Sequence, residues 1–394
     1  MSAQALEAVW RIESARIVAS LARWTGDFAL AEDVAQEALA EALVAWERDG
    51  TPANPAGWLL ATARRRAIDA FRRRETLERK YALLAREWET AGDRGDDLLA
   101  LMFVACHPVL APEAKVALTL RTVGGLTSEE IARAFLVPVP TVQARITRAK
   151  KTIAAAGVRF ELPPAEQRKE RLGAVLSVLY VIFTEGSTAT AGDRLVRTDL
   201  AAEAIRLTRV LAALVPDEPE VSGLLALCEL TAARFPARTG PDGEAVLLED
   251  QDRRLWDRAA IRRGLAALAR STTGPYGLQA AIAACHARAA SVAETDWERI
   301  VLLYEALGRV APSPIVELNR AVAVAMAHGP DQALPIVDGV AARLTSYLVP
   351  SVRGELFRRL GRDAEARAEL ERAAAMCRND KERAVLLRKA AALR

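Results

Sequence analysis

Thr141, Gln143, Arg145, Arg148, Lys150 and Lys151 fall on the outward face of one short stretch, and no acidic residue occurs from Pro140 to Phe160. Arginine and glutamine each make paired hydrogen bonds to base edges in the major groove, and the lysines beyond them suit phosphates, so these types point to duplex DNA. A second set lies upstream, where Trp58 and Phe71 mix with Arg64, Arg65, Arg66, Arg72, Arg73 and Arg74. Aromatic rings stack on exposed bases while guanidinium groups hold phosphates, a combination suited to single-stranded or opening DNA. The plain alternative is a solvated arginine face over core aromatics, and for either aromatic taken alone the core is the stronger expectation. A third set, Glu32, Asp33, Gln36, Glu37 and Glu41, forms an acidic polar face that suits a protein partner.

The elements that position these sets are helices. Val116, Leu118 and Leu120 close one apolar helix, Gly124-Gly125 breaks it, and Thr127 with Glu130 has the form of a capping box opening the next, Ser128 to about Phe135. Ile131, Ala132 and Phe135 make its buried stripe, and Ala132 is small enough for a second helix to cross closely. The turn is Leu136 to Val139. Pro140 fits the first position of a new helix, where a missing N–H is harmless, and Val142 and Ile146 supply its inner face. This is a helix-turn-helix whose second helix carries the base-reading set.

Upstream, a helix from about Ala5 to Thr25 offers Val9, Ile12, Ile17 and Leu21, and Gly26-Asp27 turns the chain. The next helix buries Leu30, Val34, Ala38, Leu39, Leu43 and Trp46 and shows the acidic set to water. After the loop Asp49 to Pro55, a third helix runs from Gly57 to Arg74. The stretch Glu75 to Asp97 reads as a helical continuation through Trp88 and then a flexible link, Ala91 to Gly95.

A chain of 394 residues has room for two or three domains. Aromatics are only 5% and no valine or isoleucine run alternates over strand length, so the fold class expected is all-α. No apolar run reaches the ~18 residues of a membrane span, and the N-terminus lacks a signal peptide's apolar core, which points to a cytoplasmic protein with no membrane role. Cys106, Cys228, Cys285 and Cys377 form no CxxC pair, arguing against a disulfide framework or zinc site. Cys106-His107 and Cys285-His286 are adjacent, and neighbours on a helix point in different directions, which disfavours shared metal ligation. The net charge of +3 hides a segregation: nine acids face four bases from Met1 to Thr51, whereas eight bases face three acids from Arg64 to Lys80. An acidic start suits a protein partner and the arginine-rich helix a nucleic acid.

The stretches DFALAEDVAQEAL, NPAGWLLATARRRAIDAFRRR and LTLRTVGGLTSEEIARAFLVPVPTVQARITRAKK resemble the second and fourth conserved regions of bacterial sigma-70-type sigma factors, in the extracytoplasmic-function subgroup. The resemblance covers about Ala5 to Gly157 and implies a promoter-recognition subunit with core RNA polymerase and promoter DNA as partners. It implies that Asp33, Gln36 and Glu37 face the polymerase beta-prime clamp helices, and that the beta flap is a further contact. It also implies that the loop Asp49 to Asn54 and the helix carrying Trp58, Arg64, Arg65, Arg66, Arg72 and Arg73 capture the minus-ten element. Thr141, Gln143, Ala144, Arg145, Arg148 and Lys151 are placed on the minus-thirty-five element. Three positions depart from the pattern: Arg65 stands where an asparagine is usual, and Leu136 and Pro140 where glycines are. A left-handed residue other than glycine costs roughly 1 to 2 kcal/mol, so the turn is either built differently or strained. The expected divisions are 1–82 for the region 2 domain, 83–96 for a linker, 97–160 for the region 4 domain and 165–394 for an extension.

The extension opens with an apolar helix, Arg171 to Thr184, in which Leu172, Val175, Leu176, Val178, Leu179, Val181, Ile182 and Phe183 cover most of the circumference and demand burial. Asp199 to Leu214 is amphipathic and Arg238 to Trp256 is polar and turn-rich. Tyr304 and Leu307, Val337 and Val340, Leu370 and Ala373 then recur at offsets of 33, as do Ala333 and Ala366, and Val324 and Phe357. With Gly354 and Leu360-Gly361 in place, Pro350 to Asn379 resembles a tetratricopeptide repeat, whose period is ~34. Residues 1–164 hold 22 bases and 21 acids, leaving 32 and 30 of the 54 and 51 totals for the remainder, so no basic DNA footprint is expected there. Stacked helix pairs present a concave face to peptides or proteins, which makes the extension a regulatory or docking domain. Extracytoplasmic-function sigma factors with long C-terminal repeat extensions resemble the chain end to end.

Three histidines, no glycine-rich phosphate loop, no metal-ligand spacing and no nucleophile motif argue against an enzyme, a metal site or a cofactor. The rival reading is a one-component helix-turn-helix regulator with a repeat-type sensor. Such a regulator has no need of a melting surface, so the arginine and aromatic helix speaks against it.

Overall fold

In the first stretch, Leu6, Trp10, Ile17, Val18 and Leu21 are buried along helix α1 (Ala3–Thr25). Ile12, expected in that stripe, is 67% exposed; two residues on from Trp10, it lies about 200° around the helix. The computed structural model describes residues 3–73, 94–187, 196–240 and 244–393, and its regular elements there are α-helices and short 3₁₀ turns, with one isolated bridge, Thr239 to Ala245. The fold is all-α, as expected. Among the described residues no helix is long and apolar enough to cross a membrane.

The chain divides into two compact units, Met1–Ile182 and Phe183–Arg394. In the first, α1 packs on α2 (Phe28–Asp49) and α3 (Pro55–Arg73), and also meets α4 (Arg94–Ala105) and α5 (Pro112–Thr122). Asp27 caps α2 by accepting a hydrogen bond from the Leu30 N–H at 3.0 Å, a favourable N-terminal device. The buried face of α2 is built largely of small residues, Ala31, Ala35, Ala38 and Ala42, with Val34 and Trp46. Leu43 is 49% exposed, contrary to expectation, because it lies off the side that Val34, Ala38 and Ala42 turn inward. Arg94 and Gly95, read as flexible link, open helix α4. Arg74 and the expected continuation and link from Glu75 to Asp93 lie outside the described residues.

Helices α6 (Ser128–Phe135) and α7 (Val139–Ala155) complete this half, α7 packing on α5, α6 and α2. Gly125, at φ +70, sits where a Cβ would come within 2.6 Å of Ser14 Oγ, so only glycine allows both the turn and this approach to α1. In α8 (Ala165–Ser187), Leu172, Val175, Leu176, Val178, Leu179, Ile182 and Phe183 are buried as expected. Val181 is the exception at 45% exposed.

The second unit contains α9 (Thr198–Leu214), α10 (Pro219–Ala232), three 3₁₀ turns between Phe235 and Leu255, α11 (Arg258–Leu268) and α12 (Pro275–Arg288). Three helix pairs follow: α13 (Trp297–Val310) with α14 (Pro314–His328), α15 (Pro330–Ala341) with α16 (Leu348–Arg359), and α17 (Asp363–Met376) with α18 (Asp380–Ala391). The first helices of the pairs begin at residues 297, 330 and 363, a spacing of 33. Leu307, Val337, Val340, Leu370 and Ala373 are all buried. A Cβ on Gly354 would lie 2.9 Å from Leu370, which is how closely α16 passes α17.

Candidate nucleic-acid interface

Thr127 accepts from the Glu130 N–H at 3.1 Å while Glu130 accepts from the Thr127 N–H at 2.8 Å, so the capping box opens α6 as its sequence requires. Leu136 ends α6 in the left-handed region, φ 51 and ψ 43, the one non-glycine residue with positive φ among those described. Its side chain is 57% exposed, so no burial offsets the strain. Of the two alternatives for this turn, the strained one is found, and α7 then begins one residue before Pro140, with Pro138 at the cap.

Val142, Ile146, Ala149 and Ile153 of α7 are buried. Gln143, Ala144, Arg148 and Lys151 are exposed, and Thr141 and Arg145 are half-buried at the edge of the same face. That face therefore remains open to a duplex, with donors and acceptors on its middle turns and Lys151 toward its end.

Lys150 does not belong to it. Its ammonium bonds to Glu32 at 2.7 Å and to Asp33, both on α2. Glu32, expected to face water, is 3% exposed, because Arg121 of α5 also reaches it at 3.3 Å. Burial lowers the lysine's proton affinity, but the two carboxylates outweigh this and hold it above the usual lysine range. Arg11 of α1 likewise pairs with Glu130 at the start of α6, and Arg23 with Asp97 of α4. Of the acidic set, Asp33 is thus engaged by α7, Glu37 lies 3.5 Å from Arg66, and Gln36 is half-buried.

On α3, Leu59, Thr62, Ala63 and Ala67 face the core. Trp58 meets Trp46 edge to face at 5.5 Å between ring centres, and Phe71, 8% exposed, meets Trp24 at 6.2 Å. Phe71 is therefore core, and Trp58 is half-buried with one ring contact already made. Asn54 caps α3 by accepting from the Gly57 N–H at 2.9 Å. Arg64 is half-buried and burial draws its guanidinium below the usual arginine range. Arg65 is exposed and donates to Thr62 at 3.1 Å. Arg66 donates to Glu41 at 2.7 Å. The side chains of Arg72 and Arg73 lie outside the described residues.

The residues that sequence reasoning missed are Glu32, Arg121 and Lys150, which join the acidic helix to the base-reading one. A signal was present: Lys150 stands four after Ile146 and three before Ile153, on the margin of the buried stripe. The cysteines are buried free thiols, and burial pushes Cys106 up to about 11.

Residues 12–76 match sigma-70 region 2, residues 100–153 match sigma-70 region 4, and residues 171–272 match a family of unknown function, DUF6596. A curated relative, described as an uncharacterized protein of Rhizobium meliloti (strain 1021), is 47% identical over 384 residues, covering 93% of this chain and 90% of the relative. No solved structure matches.

Proposed function

The chain belongs to the sigma-70 family, as a sigma factor of the extracytoplasmic-function type with a helical C-terminal extension, and on that premise we propose that its first unit docks on core polymerase and reads a promoter while the extension governs that activity. Promoter recognition in transcription initiation follows from the two sigma-70 regions, which are those of a transcription factor rather than an enzyme. The observation that carries the finer reading is the open face of α7: Gln143, Arg148 and Lys151 are exposed while Val142 and Ile146 lock the helix in place.

In this reading Thr141, Gln143, Ala144, Arg145, Arg148 and Lys151 contact the minus-thirty-five element. Trp58 and the arginines Arg64, Arg65, Arg66, Arg72 and Arg73 hold the minus-ten element. The packing of Trp58 and Phe71 leaves the arginines as the main contacts there, with phosphate binding their first task. Asp33, Gln36 and Glu37 take the beta-prime clamp helices, region 4 takes the beta flap, and polymerase and Lys150 compete for Asp33. The domain divisions near residues 82, 97 and 160 and a cytoplasmic site of action belong to the same proposal.

Run-off transcription with purified core polymerase tests it. The full-length protein should direct specific initiation, and the Asp33→Ala, Gln36→Ala, Glu37→Ala triple variant, folded by circular dichroism, should co-purify poorly with core. Unchanged co-purification by that variant removes the assigned polymerase surface, and absence of any initiation removes the sigma role.

A further inference from the structure

The C-terminal unit lays part of its own chain against its last helices. After α10, residues 238–240 pair with residues 244–246, the Val246 N–H donating to Arg238 O at 2.9 Å and the Gly240 N–H to Glu244 O at 3.0 Å. Leu247 is extended, at φ −67 and ψ 155, and precedes the 3₁₀ turn that Leu248 opens. Leu248 packs with the cluster of Trp256, Ala260 and Ile261. Leu247 instead lines a largely apolar cavity of about 210 Å³ with Val322, Met326, Leu356, Leu370 and Leu386. A second space of about 700 Å³ lies beside it, between the arm Glu244–Asp250 and the helices carrying Arg358, Arg388 and Lys389. Leu247, Val385 and Lys389 line both, so the two form one groove, within the ~300 to 1,000 Å³ typical of ligand sites.

The charge of the two walls is unequal. The helical wall carries Arg358, Arg359, Arg388 and Lys389 against Glu355 and Asp363, four cations to two carboxylates. Glu355 accepts from Arg358 at 2.6 Å, from Arg359 at 3.2 Å and from Lys389 at 3.0 Å. Burial favours its neutral form, yet these cations hold its carboxyl down to about 2. One carboxylate shared by three cations leaves the wall positive. The arm supplies the complement, Glu244, Glu249 and Asp250, of which Glu249 reaches Arg359 at 3.5 Å. An aliphatic side chain in the slot with carboxylates on either side is thus a pattern that the groove already accepts from its own chain, with most of its volume still open.

We propose that this groove docks an extended acidic segment of a partner protein, one aliphatic side chain flanked by carboxylates, which takes the slot of Leu247 and sets its carboxylates on Arg358, Arg388 and Lys389. The apolar slot sets the aliphatic requirement and the cationic wall sets the charge. The arm competes for the same slot, so it acts as an internal occupant that the partner displaces. The site is independent of promoter reading, and neither result decides the other.

The test uses the full-length protein and a fluorescent synthetic peptide of sequence EAVLLED, copied from the arm, followed by anisotropy. Binding with a Kd of roughly micromolar order is expected. Leu247→Ser with Glu249→Gln should tighten it about fivefold by loosening the internal competitor, and exposed Arg388→Glu should weaken it about tenfold. A peptide with its acids replaced by amides, QAVLLQN, should bind about tenfold more weakly. No binding to either the unaltered protein or the loosened variant overturns the proposal, as does equal binding of the amide peptide. Efficient displacement by a single-stranded oligonucleotide or by inorganic phosphate assigns the wall to phosphate and overturns it too. If the loosened variant fails to fold, Arg388→Glu and the amide peptide decide on the unaltered arm.

Discussion

Breaking the Lys150 clasp should both loosen the first unit and free its acidic helix. Lys150 lies 2.7 Å from Glu32, which at an effective dielectric of about 20 is roughly 6 kcal/mol of gross attraction. Desolvation of two such shielded groups cancels most of that, and removing one partner of a buried pair costs about 3 to 5 kcal/mol when nothing replaces it. Arg121 remains 3.3 Å from Glu32, so Lys150→Met should fall below that range, at about 2 kcal/mol. Crossing it with Glu32→Gln in a double-mutant cycle, read by urea unfolding of the full-length protein, should give a coupling of about 1 to 2 kcal/mol. The contribution is complete below the ordinary lysine value of 10.5 and disappears as pH rises through the higher folded value. Asp33 loses its cation in the same variant, so affinity for core polymerase should rise, by about tenfold if 1.4 kcal/mol of clasp is relieved. A coupling below about 0.5 kcal/mol would refute the clasp, since uncoupled sites show that much scatter. Unchanged polymerase affinity would refute the competition for Asp33.

Leu136→Gly should stabilise the first unit by about 1 kcal/mol, the relief of left-handed strain less glycine's entropy, visible as a higher urea midpoint at unchanged slope. His286 is held at about 4 by burial, with the Arg234 and Arg253 charges adding to it. The unfolded chain therefore takes up a proton that the folded one refuses, and the C-terminal unit should lose roughly 3 kcal/mol as pH falls from 6.5 to 4, a loss that His286→Phe should abolish. Arg145→Ala should cost about 1 to 3 kcal/mol at the cognate promoter and relax one base preference, whereas Lys151→Ala should weaken all duplexes alike and shallow the salt dependence. Equal losses on specific and random duplexes for Arg145→Ala would make it a phosphate contact.

Local chemistry was legible wherever one element decided it. The Thr127 and Glu130 capping box, the Asn54 turn, the Val142 and Ile146 stripe and the strained Leu136 each depend on a few consecutive residues. The repeat spacing was legible because it recurs. What escaped was decided between elements. Glu32 reads as a surface acid until α5 and α7 bring Arg121 and Lys150 onto it, and Ile12 reads as core until the phase of α1 is fixed by Trp10 and Ile17. Arg171 shows the same limit at a boundary. Its guanidinium donates to Phe103 O at 3.0 Å within the first unit, so a chain stopped after Glu161 would forfeit a contact that the sequence assigned to the extension.

The 33-residue spacing of α13, α15 and α17 means that each helix pair is held chiefly by the pair on either side of it. Such an array melts as a row of coupled segments rather than as a block, and the last pair, with one neighbouring pair and beyond it the short arm Glu244–Asp250, is the first to open. Amide exchange should therefore quicken from α13 toward α18. The end of the chain would work as a zipper whose last teeth part and close many times for each complete unfolding.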